Sequence, residues 1–190
     1  FDPRTSQHDV WRFATDVASC APMRDGGLLL AMRDGLWHFD PANGQLRPLA
    51  MPPYDLARER FNDGKCDPQG RFWVGTIYEP RDLPLAAIYR FSAGALTRMA
   101  GQLTVANGLA WSPDARTLYC SDTKAHAIYA HDFDAPSGPL GPRRVFASFP
   151  AKQAQQDLST YGGRPDGAAV DSEGCYWVAM LEGQSLLRLS

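Results

Sequence analysis

The chain has no apolar run near the roughly 18–20 residues that a membrane-crossing helix requires, so no helical membrane span is expected. Neither charge sign is in excess: 19 Lys and Arg face 21 Asp and Glu, a formal net charge of −2. That balance leaves no basic footprint for nucleic acid or an anionic membrane surface. Cysteine is sparse. Cys20, Cys66, Cys120 and Cys175 form no CxxC pair and have no histidine nearby at ligand spacing. Neither a zinc site nor a disulfide framework is expected, and the thiols read as reduced. His8, His38, His126 and His131 share no metal spacing, and no Gly-x-Ser-x-Gly elbow is present. The chain opens without methionine or signal peptide, on Phe1-Asp2-Pro3. A cytoplasmic protein is the expectation, with residues 1–190 as a single domain.

What is present is turn chemistry. There are 17 Gly and 15 Pro, with 11% aromatics, and these divide the chain into many short strands. Two of the resulting units match almost position for position: Asp67-Pro68-Gln69-Gly70-Arg71-Phe72-Trp73-Val74 and Asp171-Ser172-Glu173-Gly174-Cys175-Tyr176-Trp177-Val178. Ser112 to Tyr119 repeats the unit with one extra residue, and Arg24 to Ala31 is a weaker copy. A second strand-and-turn unit follows each, at Leu36 to Pro41, Ile88 to Ser92, Ile128 to Phe133 and Leu186 to Ser190, and Phe1-Asp2-Pro3 is the tail of one more. A repeat of roughly 40–55 residues predicts an all-β propeller; a β-sandwich with accidental similarity is the plainer reading. Trp73 and Trp177 are expected in the core. The inserts Met51 to Glu59, Tyr78 to Leu85 and Ser148 to Gly163 read as binding-face loops, with a helical turn or two possible in Ala151 to Leu158.

The chemistry concentrates in Arg60-Phe61-Asn62-Asp63-Gly64-Lys65-Cys66-Asp67 and in two shorter echoes, Asn107-Gly108 and Asp166-Gly167. Aligned on their glycines, Asp63, Asn107 and Asp166 occupy one register, each ahead of a strand, with Cys20 there in an earlier repeat. The first strand of each propeller blade lines the central channel, so three oxygen-bearing side chains would converge. Such donors favour a hard cation. Any one Asn-Gly or Asp-Gly alone reads as a turn; three in register favour convergence. Lys65 reads either as a partner of Asp67 or as a channel residue.

These motifs, with Gly75-Thr76, Leu109, Trp111-Ser112 and Pro165-Asp166-Gly167, resemble the signature of the SMP-30/gluconolactonase/regucalcin family. The resemblance implies a six-bladed propeller, of which about four blades fall in this chain, incomplete at both ends. It implies one divalent ion (Ca, Zn, Mn or Mg) held by Asn107 and Asp166, with a further Glu ligand in a motif that residues 1–190 lack. It implies a small-molecule sugar lactone as substrate, oriented by Arg60, Asn62 and Glu79. Hydrolysis would follow metal polarisation of the carbonyl, with Asp166 or Asp63 taking a proton from water. A non-catalytic calcium- or ligand-binding propeller and a hydrolase of another ester are the alternatives.

Overall fold

Short apolar runs separated by Gly, Pro and Asp turns leave the chain one inexpensive way to pair its strands, each with the next in sequence. The computed structural model describes residue 1 and residues 3–190, and shows that outcome four times. The first sheet is β1 (Val17–Pro22), β2 (Leu28–Met32), β3 (Gly35–Asp40) and β4 (Gln45–Ala50). The second is β5 (Glu59–Cys66), β6 (Phe72–Tyr78), β7 (Ala86–Ser92) and β8 (Ala95–Leu103). The third is β9 (Ala106–Trp111), β10 (Thr117–Asp122), β11 (Ala127–Phe133) and β12 (Leu140–Ser148), and the fourth is β13 (Arg164–Val170), β14 (Tyr176–Leu181) and β15 (Ser185–Leu189). All pairings are antiparallel. The first strands pack in succession, β1 on β5, β5 on β9 and β9 on β13. These are propeller blades around one axis. Of the repeat tail expected at Phe1-Asp2-Pro3, Asp2 lies outside the described residues.

The core lies between blades. Phe61, Phe72 and Val74 of the second sheet pack on Leu29, Ala31 and Leu36 of the first. Trp73, wholly buried, meets Trp111 and Phe133 of the third sheet edge-on at 5.8 and 5.7 Å. Tyr176 and Val178 pack against Ala110 and Ile128. The two aromatic repeats therefore differ in depth: Trp73 is core as expected, whereas Trp177 is half-buried beneath the Arg188 guanidinium. Its neighbour Tyr176 fills the core of the fourth blade instead.

The matching turns have a physical reason. Asp67 accepts from the Gln69 and Arg71 amides at 2.9 and 3.0 Å, and from Trp73 Nε1 at 2.8 Å. Asp171 repeats this with Glu173 N, Cys175 N and Trp177 Nε1 at 3.0, 2.9 and 2.8 Å. One carboxylate thus closes the turn and fixes the indole that follows. In the longer copy Ser112 Oγ accepts from Arg116 N and Thr117 N. The helical turn expected in Ala151 to Leu158 lies later, as a 3₁₀ turn at Leu158–Thr160 capped by Asp157.

The polar glycine motifs do not precede strands; they lie inside β5, β9 and β13. Each of these strands slips register against its neighbour, between Phe61 and Gly64, between Asn107 and Ala110, and between Pro165 and Ala168. β1 does the same between Val17 and Ser19. A bulge of this kind adds a residue on one strand and re-aims its side chain. The pairings also correct the glycine alignment. Phe61, Ala106 and Pro165 face Thr76, Asp122 and Met180, so the equivalent residues that follow them are Asn62, Asn107 and Asp166. Asp63 falls one step later, level with Gly108 and Gly167, and Ala18 rather than Cys20 holds the place in β1. The reason is that glycine occupies a different point of the bulge in β5.

Gly108 is the tightest of these points, with φ at +60°. A Cβ there would run into Tyr176 Oη and come within 2.6 Å of Ser121 Oγ and 2.8 Å of the Asp166 carbonyl. Gly108→Ala should cost about 2–4 kcal/mol through strain and overpacking, read as a lower urea midpoint; an unchanged midpoint would contradict the close approach. The Asp171 carboxyl is held down to about 2, first by the Trp177 indole and then by Cys175 N and Arg188. With the folded value depressed, its contribution is complete above the ordinary 3.8 and lost as pH falls toward about 2. Asp171→Asn should lower stability at neutral pH and flatten its decline across that window in pH-dependent thermal melts.

Candidate active site

The three bulged strands deliver their side chains to a cavity of about 140 Å³, lined at its base by Asn62, Asn107 and Asp166 and walled by Ile77, Val105 and Leu181. A single hydrogen-bonded chain joins the three blades. Asn62 Nδ2 donates to Asn107 Oδ1 at 2.6 Å and to the Ala106 carbonyl at 2.8 Å. Asn107 Nδ2 donates to Asp166 Oδ1 at 2.6 Å and to Thr123 Oγ1 at 2.8 Å. Thr123 in turn donates to the Pro165 carbonyl at 2.7 Å. Asn107 is thus buried and gripped from both sides.

Burial pushes the Asp166 carboxyl above its ordinary range, and the nearby Asp63 charge adds to this; Arg164 and the Asn107 amide offset part of it. Asp63 does not line the cavity. Its Oδ2 accepts from the Leu109 amide at 3.0 Å, tying the second blade to the third. Arg60 and Glu79 also stand outside the lining. Arg60 Nε lies 3.3 Å from Glu79 Oε1, and Arg33 of the first blade reaches both Glu79 oxygens at 2.8 and 3.0 Å. The Arg33 hydrogen bond, before any other cause, holds the Glu79 carboxyl below its usual range. Lys65 does not pair with Asp67: its Nζ donates across the channel to the Ala168 carbonyl at 2.9 Å, while Arg71 takes Asp67 at 2.5 Å.

Several contributors escape a reading by motif. Thr123 anchors Asn107. The buried Asp122 carboxylate accepts from Thr104 N, Val105 N and Lys124 N at 2.8, 3.1 and 3.1 Å, fixing the turn above the cavity. Ser121-Asp122-Thr123 is a buried polar triplet at the end of a strand whose counterpart in the second blade is Gly75-Thr76-Ile77. That contrast was the available signal. Thr123 itself, Arg81, Lys124 and Arg164 complete the lining.

The donor set suits a hard cation: carboxylate and amide oxygens, with no thiol or imidazole among them. In the arrangement described the Asn107 nitrogen faces Asp166; turning the amide about its soft terminal torsion would present both oxygens to one ion. Asp171, Glu173 and Cys175 also bring ligand atoms within 4.8 Å of one another, but Asp171 is already engaged by Trp177 and Arg188.

Fold and site together define a β-propeller with an oxygen-rich cluster facing its axis. Residues 1–190 match the family model described as SMP-30/gluconolactonase/LRE-like region, and the chain belongs to that family. It is 40% identical over 191 residues to 6-deoxy-6-sulfogluconolactonase of Pseudomonas putida, covering 100% of this chain and 62% of that protein. It is 30% identical over 197 residues to regucalcin of Xenopus laevis, again 100% and 62%. A solved structure of a calcium-binding protein, regucalcin, from Agrobacterium tumefaciens superposes with a TM-score of 0.81 at 27% identity, covering 98% of this chain and 64% of that one. The chain thus spans about 62% of the length of the curated relatives. Among the described residues no helix is long and apolar enough to cross a membrane.

Thr123→Val keeps shape but removes the hydroxyl, leaving the Asn107 amide and the Pro165 carbonyl short of a partner. It should lower the unfolding free energy by about 1–3 kcal/mol, whereas Thr123→Ser should recover most of the loss. Equal stability for the Val and Ser variants would remove Thr123 from the architecture of the site.

Proposed function

We propose that this protein is a divalent-metal-dependent hydrolase of sugar lactones. The observation that carries the reading is the Asn62–Asn107–Asp166 chain, one residue from each of three consecutive blades, meeting at the base of one cavity. Packing and turn formation do not require it, since Ala18 holds the same place in the first blade. The Pseudomonas relative is named for a sugar lactone and the Agrobacterium one for calcium binding, which supports both halves of the reading. Four free thiols fit a reducing compartment, and we place the protein in the cytoplasm on that ground.

Asn107 and Asp166 would hold the ion, calcium, zinc, manganese or magnesium, which when bound supplies Lewis acidity toward the lactone carbonyl. Asn62, on the next blade, presents an amide to substrate oxygens. Arg60 sits behind it, its guanidinium aligned by Glu79, and is suited to a ring hydroxyl or carbonyl. Glu79 then acts on substrate mainly through Arg60, because two guanidinium groups already occupy its carboxylate. Asp166 is the better base of the two carboxylates: burial raises its proton affinity, and Oδ2 remains free while Asn107 holds Oδ1. Asp63 keeps Leu109 in place and contributes negative charge beside it. The Agrobacterium relative also favours a second reading, a calcium-binding propeller without turnover.

A pH-stat assay over several aldonolactones, with and without Ca²⁺, Zn²⁺, Mn²⁺ and Mg²⁺, separates the two. Metal-dependent turnover is expected, falling by about 100-fold or more in Asp166→Ala. Tight metal binding with no turnover for any pair would establish the second reading, and full activity in Asp166→Ala would refute the first.

A further inference from the structure

Three cations line the cavity, Arg81, Lys124 and Arg164, against one carboxylate, Asp166. Arg60 and Arg33 are matched by Glu79 and Asp16, and Arg164 by Glu182 at 3.0 Å. Two lining cations are left, Arg81 and Lys124, and neither forms an ion pair or hydrogen bond through its side chain among the described residues. They come from different blades, one from the turn after β6 and the other from the turn after β10, yet line the same cavity. Both are exposed at its mouth, whereas Asn107 is buried at its base.

Their backbones are set independently of their side chains. Arg81 holds φ at +58°, a left-handed conformation that favours glycine, with its amide bonded to the Tyr78 carbonyl at 3.0 Å. Arginine has no conformational advantage at such a position. Lys124 N is fixed by the buried Asp122 carboxylate at 3.1 Å. Two like charges facing one small cavity, against the single carboxylate of Asp166, leave a positive excess that a neutral sugar would not use.

We propose that the cavity takes a sugar lactone bearing an anionic group, a sulfonate, phosphate or carboxylate, at the end remote from the reacting carbonyl, and that Arg81 and Lys124 recognise that group. The proposal rests on the lactone-hydrolase reading for its substrate, but the anion subsite stands on the two cations. With the carbonyl at the Asn107–Asp166 base, the far end of a six-carbon chain reaches toward the mouth, where both side chains can close on it. Arg81 offers a planar fork for two oxygens and Lys124 a mobile point charge.

The test compares kcat/KM for glucono-1,5-lactone with that for its 6-sulfo, 6-phospho and 6-carboxylate counterparts, in the protein and in the Arg81→Ala/Lys124→Ala double variant. At least one anionic lactone should be preferred, and the anionic-to-neutral ratio should fall by about tenfold or more in the double variant. The preference should also weaken as salt is raised. Arg81→Lys should restore part of the ratio. Which anion responds identifies the group. A ratio unchanged by the double substitution, or a wild-type preference for the neutral lactone, overturns the proposal. If no lactone is turned over, the hydrolase reading fails separately. Calorimetric binding of 6-deoxy-6-sulfogluconate, 6-phosphogluconate and glucarate then decides: affinity lost in the double variant supports the anion subsite, and no affinity for any of them refutes it. Urea midpoints of the variants guard against misfolding.

Discussion

A strand hydrogen-bonded on one side only can take up an extra residue without tearing the sheet, because its other edge has no partner to lose. β1, β5, β9 and β13 are such strands, each the innermost of its blade, and each carries a bulge. Everything at the site follows from that freedom. The extra residue turns Asn62, Asn107 and Asp166 out of ordinary alternation, and succession of the blades around the axis brings them within hydrogen-bond reach of one another. Gly108, with its positive φ, allows the Tyr176 hydroxyl to reach the Gly108 carbonyl at 2.7 Å and sit beneath the bulge. The fourth blade thereby supports the residue that the third presents.

Polar groups brought together in this way have to be satisfied, and the structure does it mostly between blades. Asp63 holds the Leu109 amide, Lys65 holds the Ala168 carbonyl, and Thr123 links Asn107 to the Pro165 carbonyl. Each is a contact between chain segments distant in sequence, made over an apolar wall of Phe61, Trp73, Leu109 and Tyr176 that is closed to water. A buried network of this kind is worth most when every member is paired. Asp166, like Asp63, has a single hydrogen bond and another carboxylate nearby, and burial penalises its charge as well. That is the electrostatic situation a cation relieves.

Local chemistry was legible and through-space chemistry was not. The Asp67 and Asp171 units could be read because the carboxylate, the turn amides and the tryptophan all lie within a few residues, so the physical device is written contiguously. The convergence of Asn107 and Asp166 was legible too, from repetition. Its register was off by one in the second blade, because Gly64 marks a later point of the bulge than Gly108 and Gly167, and strand pairing alone distinguishes them. Thr123 and Asp122 left no motif: their roles depend on β10 passing beside β13 and on the loop before β9, which spacing does not encode. Trp177 failed for a related reason, since equivalence of position between blades does not guarantee equivalence of burial.

The site divides by its mechanical origin. Asn62 and Asn107 stand on inner strands clamped on both faces by inter-blade cores, and Asp166 on one packed against the third blade, so they can move little. Glu79, Arg81 and Lys124 stand on the turns that close β6 and β10, where a residue changes without repacking a core. Arg81 shows the contrast most clearly, occupying a backbone conformation that other residues adopt more easily. Chemistry placed on the rigid strands and selectivity placed on the turns can vary independently. A metal-centred reaction could then persist across a family while the charge at the mouth of the cavity selects which sugar enters.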